Sequence, residues 1–231
     1  MSAEADTAQM LADSAAAVRA HDLDGVRRTT RPARGEARAR LIEAARGLVR
    51  QCGFAATSVD DLCAAAGVTK GAFFHHFASK EALGVALIDD WTVTTGAMFA
   101  AHPYNGKDDP LDRVLAYLDL RRELLGQPIP EFSCVAGTTV QEAYATSSPM
   151  REAAARSIGS GVQHVLPHLA AALEVQPVPG VTAEGLARQF QVAVQGGIIL
   201  AKALDDPAPA REAFDHLERY LRLLFGRPAA G

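Results

Sequence analysis

The sequence has few aromatic residues and few cysteines. Aromatic side chains make up 6% of its 231 residues, and three cysteines occur, at Cys52, Cys63 and Cys134. An odd number of cysteines at wide spacing argues against a disulfide framework and against a zinc site. We therefore expect a reduced, cytoplasmic protein in which Cys52 and Cys63, on apolar helix faces, act as small core residues.

Long apolar runs are also missing. No stretch reaches the roughly 18 residues of a membrane span, because Asp, Gln, Lys or Gly interrupts each candidate. The first 26 residues carry five acidic residues against one arginine and lack a continuous apolar core, unlike a signal peptide. The sequence thus predicts no membrane partner.

Signatures of catalysis are absent as well. The sequence contains no Gly-rich phosphate loop, no Gly-x-Ser-x-Gly and no His-Glu-x-x-His. His75 and His76 are adjacent, and neighbouring residues on a helix point about 100° apart, so they make a poor metal chelate. We predict that the protein is not an enzyme and uses no cofactor or metal.

Charge is present but uneven. The formal net charge is −4, yet residues 27–80 contain ten Arg or Lys against four Asp or Glu, and the segments on either side are acidic. A basic segment between acidic ones is typical of a local DNA contact, although a solvated basic face has the same composition. The motifs inside this segment distinguish between a DNA contact and a solvated basic face.

Apolar spacings of three and four residues dominate the chain, which predicts an all-α protein. One helix is expected from Glu36 to Cys52, where Gly53 ends it. Pro167 should bend or break the helix that contains it. A short alanine-rich helix with a thin apolar stripe is expected at residues 3–20. Longer helices are expected at residues 80–101, 110–126, 133–146, 149–175, 182–205 and 208–225.

Two short helices between residues 58 and 77 have the proportions of a helix-turn-helix. Ser58 and Asp61 form the pattern of a capping box at the start of the first helix, and Gly67 is placed to end it. Thr69 should cap the second helix and Ser79 the long helix that follows.

The second short helix would be the recognition helix, which enters the major groove. Phe73 and Phe77 are four residues apart and should pack inward, leaving Phe74, His75 and His76 nearer the outer face.

The segment from Thr57 to Leu83 resembles the TetR/AcrR family of one-component bacterial regulators, through the residues TSVDDLCAAAGVTKGAFFHHFASKEAL. The likeness covers about residues 36–91. It implies a three-helix DNA-binding domain at residues 36–80. It also implies a ligand-binding and dimerisation domain at 81–231. The extension with a basic arm at residues 1–35 is unusual for the family.

The resemblance further implies which side chains meet double-stranded DNA. They are Thr57, Thr69, Lys70, Gly71, Phe74, His75, His76 and Lys80. The family usually has Tyr where this chain has Phe74, so a phosphate contact there is in doubt and contact with a thymine methyl is the alternative. The arginines of the arm are candidates for a minor-groove contact, and a leader without a fixed contact is the alternative.

The last two predicted helices carry long apolar faces, which need partners. The resemblance implies that residues 182–225 pair with a second copy as a four-helix bundle; the alternative is that they only complete the core of one chain. Gly196 and Gly197 permit close helix approach. The apolar faces are formed by Phe190, Val194, Ile198 and Ala201, and by Phe214, Leu217, Leu221 and Leu224.

An effector pocket is expected between the helix at 80–101 and the helices at 110–175. Its candidate lining mixes aromatic and polar side chains, which favours a small, mostly apolar effector. Each polar residue has the alternative of facing solvent or of being satisfied internally. The candidates are Trp91, Phe99, Tyr117, Cys134, Thr138, Gln141, Tyr144, His164 and His168.

These features predict a homodimeric, ligand-responsive transcriptional regulator, specifically a repressor released from its operator by the effector. Two alternatives stay open. Cys134 lies near the start of a predicted helix, where a thiolate is stabilised, so it is either an electrophile or redox sensor or an inert core cysteine. The other alternative, suggested by Phe74, is a ligand-binding or protein-binding module whose DNA-reading head has decayed.

Overall fold

The structure is a computed structural model that describes residues 36–227 of the chain. The predicted helix at 3–20 and the basic arm, with Arg27, Arg28, Arg31 and Arg34, lie outside the described residues. Within residues 36–227 the regular elements are all helices, which confirms the all-α prediction. No helix in that range is both long and apolar enough to cross a membrane.

Helices α1 (Glu36–Cys52) and α2 (Val59–Ala66) end at glycines, as predicted. Gly53 has a φ of 90° and Gly67 a φ of 63°, a left-handed conformation that side chains disfavour. The capping box is also confirmed. The Asp61 N–H donates to the Ser58 hydroxyl at 3.1 Å, and the Ser58 N–H donates to the Asp61 carboxylate at 2.9 Å.

Helices α3 (Lys70–His76) and α4 (Lys80–Ala101) begin at the predicted caps. The Thr69 hydroxyl accepts a hydrogen bond from the Ala72 N–H at 3.1 Å, and the Ser79 hydroxyl accepts one from the Ala82 N–H at 3.0 Å. Each cap satisfies a donor that the first helical turn leaves without a partner.

The remaining described chain forms a 3₁₀ turn and six helices. The turn (Pro103–Gly106) lies in the segment 102–109, where no helix was expected. The helices are α5 (Pro110–Leu124), α6 (Ile129–Phe132), α7 (Val135–Ala143), α8 (Ser148–Val175), α9 (Ala183–Leu204) and α10 (Ala208–Leu224).

Helix α6 lies between two predicted helices, in a segment where no helix was expected. The helix expected at 133–146 is α7, which is shorter at both ends; it begins at Val135 because Cys134 is extended and its thiol caps the helix, accepting the Gly137 N–H at 3.3 Å. Helix α8 continues through Pro167, so of the two predicted outcomes, a bend or a break, the break does not occur. Val165 and Leu169 on either side of the proline are fully buried, and their burial offsets the hydrogen bond that proline cannot donate.

Two apolar clusters form the interior. The cluster that we call the head core is built from α1 to α4 around Leu41, Phe73 and Leu87. Helices α7 and α8 complete it, so residues 36–80, which we call the head, do not bury their apolar surface alone. The contributions of these two helices are Val135, Ala136, Ala153 and Ala154.

The second cluster, the body core, joins α5, α8, α9 and α10. It takes up the apolar faces that were expected to face a second copy. Seven of those eight side chains are buried within this one chain, and Leu224 packs against them. The buried seven are Phe190, Val194, Ile198, Ala201, Phe214, Leu217 and Leu221.

The cysteines differ in exposure. Cys63 is buried in the head core, as expected, but Cys52 is exposed. Cys52 is the last residue of α1, beyond the end of its buried stripe at Val49, and its thiol donates to the Leu48 carbonyl at 3.1 Å. Cys134 is half-buried.

Candidate functional site

Helix α3 has one buried face and one exposed face. Phe73 and Phe77 are 0% and 4% exposed and belong to the head core, whereas Phe74 is 52% exposed. His75 is exposed and His76 is half-buried. The predicted inward and outward faces of this helix are therefore confirmed. The Phe74 ring meets the Phe73 ring edge-on, with centroids 5.1 Å apart.

The first turn of α3 is open to solvent. Thr69, Lys70 and Gly71 are all exposed. The Lys70 ammonium pairs with the Asp60 carboxylate of α2 at 2.9 Å, and this hydrogen bond and attraction raise the pKa of Lys70. The sequence reasoning did not single out Asp60, which competes with any phosphate for Lys70.

Among the candidate DNA contacts, Thr57 is the residue whose side chain is buried. It is 2% exposed, and its hydroxyl donates to the Gly53 carbonyl at 2.7 Å. The hydroxyl closes the turn between α1 and α2, which explains its burial. Its role in the described residues is therefore to hold the loop that precedes α2.

Lys80 begins α4 and lies against that loop. Its ammonium donates to the Ala55 carbonyl at 3.2 Å and lies 4.5 Å from the centroid of the Phe54 ring. Burial lowers the pKa of Lys80. A phosphate contact by Lys80 would have to replace its hydrogen bond to the Ala55 carbonyl. The spacing of residues in the sequence does not predict this hydrogen bond.

The candidate effector residues do not form one group. Phe99, Tyr117, His164 and His168 come together, and Tyr104 joins them from a segment in which only a loop was expected. We call these five residues the aromatic cluster. The ring centroids of Phe99 and Tyr117, and of Tyr117 and His164, are 5.1 Å apart. The Tyr104 hydroxyl is hydrogen-bonded to His164 Nε2.

Burial controls the electrostatics of the aromatic cluster. It lowers the pKa of His164 and of His168, and it raises the pKa of Tyr104 and of Tyr117. All four shifts favour the neutral form of the side chain at pH 7. The cluster is therefore a mostly apolar part of the body core, with Phe99, Tyr104 and Tyr117 buried, that carries neutral hydrogen-bonding groups.

Trp91, Cys134 and Thr138 lie apart from that cluster. The Arg50 guanidinium lies 5.4 Å from the centroid of the Trp91 ring. The Thr138 hydroxyl accepts a hydrogen bond at 3.1 Å from the Lys202 ammonium of α9, and burial lowers the pKa of Lys202.

Gln141 and Tyr144 lie at the surface rather than in a pocket. Both are exposed, Tyr144 by 62%, and the Gln141 amide donates to the Gly137 carbonyl of its own helix at 2.8 Å. The inward face of α7 is the one that carries Val135 and Thr139. Gln141 follows Cys134 by seven residues, so helical spacing predicts that the two share one face, but the spacing did not reveal which face of α7 is buried.

An open cleft of about 460 Å³ lies elsewhere, lined by residues between Gly180 and Gln189 and by Tyr220. It contains none of the predicted effector residues. The cleft is open and reaches the exposed Tyr220 of α10, so it lacks the enclosure that is typical of a small-molecule site. Within residues 36–227, no group of three or more His, Cys, Asp or Glu side chains is arranged to hold a metal ion.

A capped helix-turn-helix on a helical body defines the class of DNA-binding transcriptional regulators. Residues 41–87 match the family model described as "Bacterial regulatory proteins, tetR family", and residues 110–217 match "Tetracyclin repressor-like, C-terminal domain". Together these matches cover more than half of the chain. The chain belongs to the TetR family of transcriptional regulators.

Individual relatives agree with this assignment. The chain is 29% identical over 139 residues to the transcriptional repressor NemR of Escherichia coli K12, covering 60% of this chain and 68% of NemR. It is 40% identical over 86 residues to the regulator TtgR of Pseudomonas putida, covering 37% of this chain and 40% of TtgR. The crystal structure of reduced E. coli NemR has a TM-score of 0.69 at 24% identity, covers 84% of this chain and all of NemR, and shows the shared fold.

Proposed function

We propose that the protein is a ligand-responsive repressor that binds operator DNA as a homodimer. The observation that carries the proposal is the exposed face of α3, on which Lys70, Gly71, Phe74 and His75 stand clear of the head core in the basic part of the chain. A recognition helix needs such a face to reach base edges, and the exposed lysine supplies a phosphate partner.

Fluorescence anisotropy with DNA from the gene's own upstream region tests the proposal. We expect tight binding that resists unrelated competitor DNA, with two protomers per site. Lys70→Ala should reduce the slope of log affinity against log salt by about 2 per dimer, one phosphate contact per protomer. Lys107→Ala, which removes an exposed lysine outside the head, should leave the slope unchanged. If unrelated competitor DNA abolishes binding to every tested fragment, the alternative is favoured, namely a ligand-binding or protein-binding module whose DNA-reading head has decayed.

The dimer surface that we propose is the outer face of α9 and α10. Six large apolar side chains there are between 44% and 80% exposed, and exposed apolar groups in one patch mark interaction surfaces. Gly196 lies on the same face, where a Cβ in its place would meet no side chain of the described residues within 4 Å, so a second helix could approach closely. The six are Val192, Ile199, Leu200, Leu204, Tyr220 and Leu223.

Light scattering after gel filtration measures the proposed dimer. Leu200→Asp would bury an unpaired carboxylate at the interface of both protomers, and we expect it to weaken dimerisation by more than about tenfold. Val93→Asp is the matched control, because Val93 is 72% exposed on α4, away from this face. A Leu200→Asp protein that stays dimeric at the wild-type concentration would refute this interface.

The aromatic cluster supports an effector that is small and mostly apolar. Its rings offer stacking surfaces, and its neutral histidines and tyrosines offer hydrogen bonds that fix orientation. Because neighbouring ring centroids in the aromatic cluster are 5.1 Å apart, effector binding must separate the rings. Binding changes the affinity for DNA only if the effector binds one conformer of the protein more tightly than the other. A thermal-shift screen tests this: hits should raise the Tm and release DNA, and both effects should fall in Tyr117→Ala. Hits that act equally on both proteins would place the site elsewhere.

A second candidate, sensing of electrophiles through Cys134, is favoured by one arrangement. The thiol caps α7, accepting the Gly137 N–H at 3.3 Å, so the sulfur lies at the N-terminus of this helix. Reactive cysteines are often found at helix N-termini. N-ethylmaleimide should then release the wild type and a Cys52→Ser control from operator DNA but not Cys134→Ser. Release of Cys134→Ser to the wild-type extent would exclude this mechanism.

A further inference from the structure

Glu142, near the end of α7, is hydrogen-bonded to the head. Its carboxylate accepts the backbone N–H of Ala55, in the loop between α1 and α2, at 2.6 Å. A charge-assisted hydrogen bond of this length is stronger than one between neutral groups. The carboxylate also fills the space beside Gly53, where an added Cβ would lie 2.3 Å from it.

The other side of the same loop is held by Lys80. Its ammonium donates to the Ala55 carbonyl at 3.2 Å, so the N–H and the carbonyl of one residue are both occupied, one by α7 and one by α4. The carboxylate and the ammonium also attract each other, since Glu142 opposes the lowering of the Lys80 pKa by burial. The loop before α2 is thereby fixed to two helices.

Helix α7 is anchored at its other end to α9. Thr138 accepts a hydrogen bond from Lys202 at 3.1 Å, and Gly137 packs so closely that an added Cβ would lie 2.4 Å from the Gln195 side chain. Helix α7 therefore makes direct contact with the helix whose outer face we propose as the dimer surface, and with the loop that precedes the helix-turn-helix.

We propose that Glu142 is a positioning residue that sets the separation of the two recognition helices in the dimer, and so the half-site spacing that the protein accepts. The inference rests on the proposed function. The physical reason is that two recognition helices about 34–36 Å apart read half-sites one turn apart only if each head is held rigidly on the dimer. Without the carboxylate, α7 loses its hydrogen bond to the loop, and the packing of the head core together with the Lys80 contact holds the head less rigidly.

Operators whose central spacer is lengthened or shortened by one and two base pairs test the proposal by anisotropy. The wild type should lose at least about tenfold in affinity per added or removed base pair, within the cost of a mismatched site. Glu142→Ala should flatten this profile by threefold or more, while binding to a single half-site stays unchanged. Glu142→Gln keeps an oxygen acceptor and should restore most of the wild-type profile. Glu152→Ala, an exposed glutamate of α8, is the control.

The outcomes separate the inference from the function on which it rests. A wild type that shows no spacing preference, or does not bind DNA, overturns the proposed dimeric repressor. A wild type with a sharp preference that Glu142→Ala keeps unchanged overturns the role of Glu142 alone. A Glu142→Ala protein that loses half-site binding in proportion would mean that the residue only stabilises the fold, which also refutes positioning.

Discussion

Two adjacent phenylalanines of α3 should differ strongly in what they contribute to stability. Phe73 is fully buried in the head core, and Phe to Ala at such a site costs about 3–5 kcal/mol through lost burial and the cavity left behind. Phe74 is 52% exposed and mainly loses its edge-on contact with Phe73, worth about 0.5–1.5 kcal/mol. Phe73→Ala should therefore lower the free energy of unfolding by about 1.5 kcal/mol or more beyond Phe74→Ala.

Urea unfolding followed by far-ultraviolet circular dichroism measures both variants. The protomer concentration must be equal in every experiment, because unfolding of a dimer depends on concentration. The two substitutions remove the same atoms from neighbouring positions, so helix propensity and composition cancel. Equal losses for the two variants, or a larger loss for Phe74→Ala, would refute the assignment of the buried and exposed faces of α3.

Three further predictions concern other parts of the molecule. If Phe74 contacts a thymine methyl, replacing thymine by uracil at one operator position should weaken wild-type binding severalfold in anisotropy but leave Phe74→Ala unaffected; equal effects would exclude the contact. An added Cβ at Gly47 has open space, so Gly47→Ala should raise the free energy of unfolding in urea by up to about 1 kcal/mol. An added Cβ at Gly197 would lie 3.1 Å from the backbone of α10, so Gly197→Ala should raise it by less. Equal increases for the two variants would contradict the close approach of α9 and α10 at Gly197. Burial disfavours the charged form of Glu218, but hydrogen bonds from two arginines hold its pKa below the usual value. The ionised carboxylate therefore contributes stability above pH 4.5, and this contribution is lost as the pH falls below 4.5. Below pH 4.5 the Tm of Glu218→Gln should depend less on pH than the Tm of the wild type.

The head could be predicted closely because its signals are local. A serine three residues before an aspartate, a glycine after the last apolar residue and a threonine before the recognition helix each specify one helix end by a short-range hydrogen bond or by backbone freedom. The faces of α3 followed from two phenylalanines four residues apart. These signals needed no knowledge of the rest of the chain.

The effector residues and the apolar faces of α9 and α10 were predicted less well, because tertiary packing decides them. Spacing placed Gln141 on one face with Cys134, yet the neighbours of α7 bury the face of Val135. Cysteine is rarely an N-cap, so the capping of α7 by the Cys134 thiol was not predicted, although a helix was expected to start near it. The segment of Tyr104 has turn-forming residues and no periodicity, although packing brings its ring into the aromatic cluster.

The shared head core has a consequence for protein engineering. Regulators of this architecture invite exchange of DNA-reading segments between chains, as if the head were a cassette. Here a cut after residue 80 would strip Val135, Ala136, Ala153 and Ala154 from the side chains that they cover. A chimera that keeps its stability must therefore carry α4, α7 and the first turns of α8 along with the head, and with them the contact to α9, so that the head cannot be exchanged without part of the body.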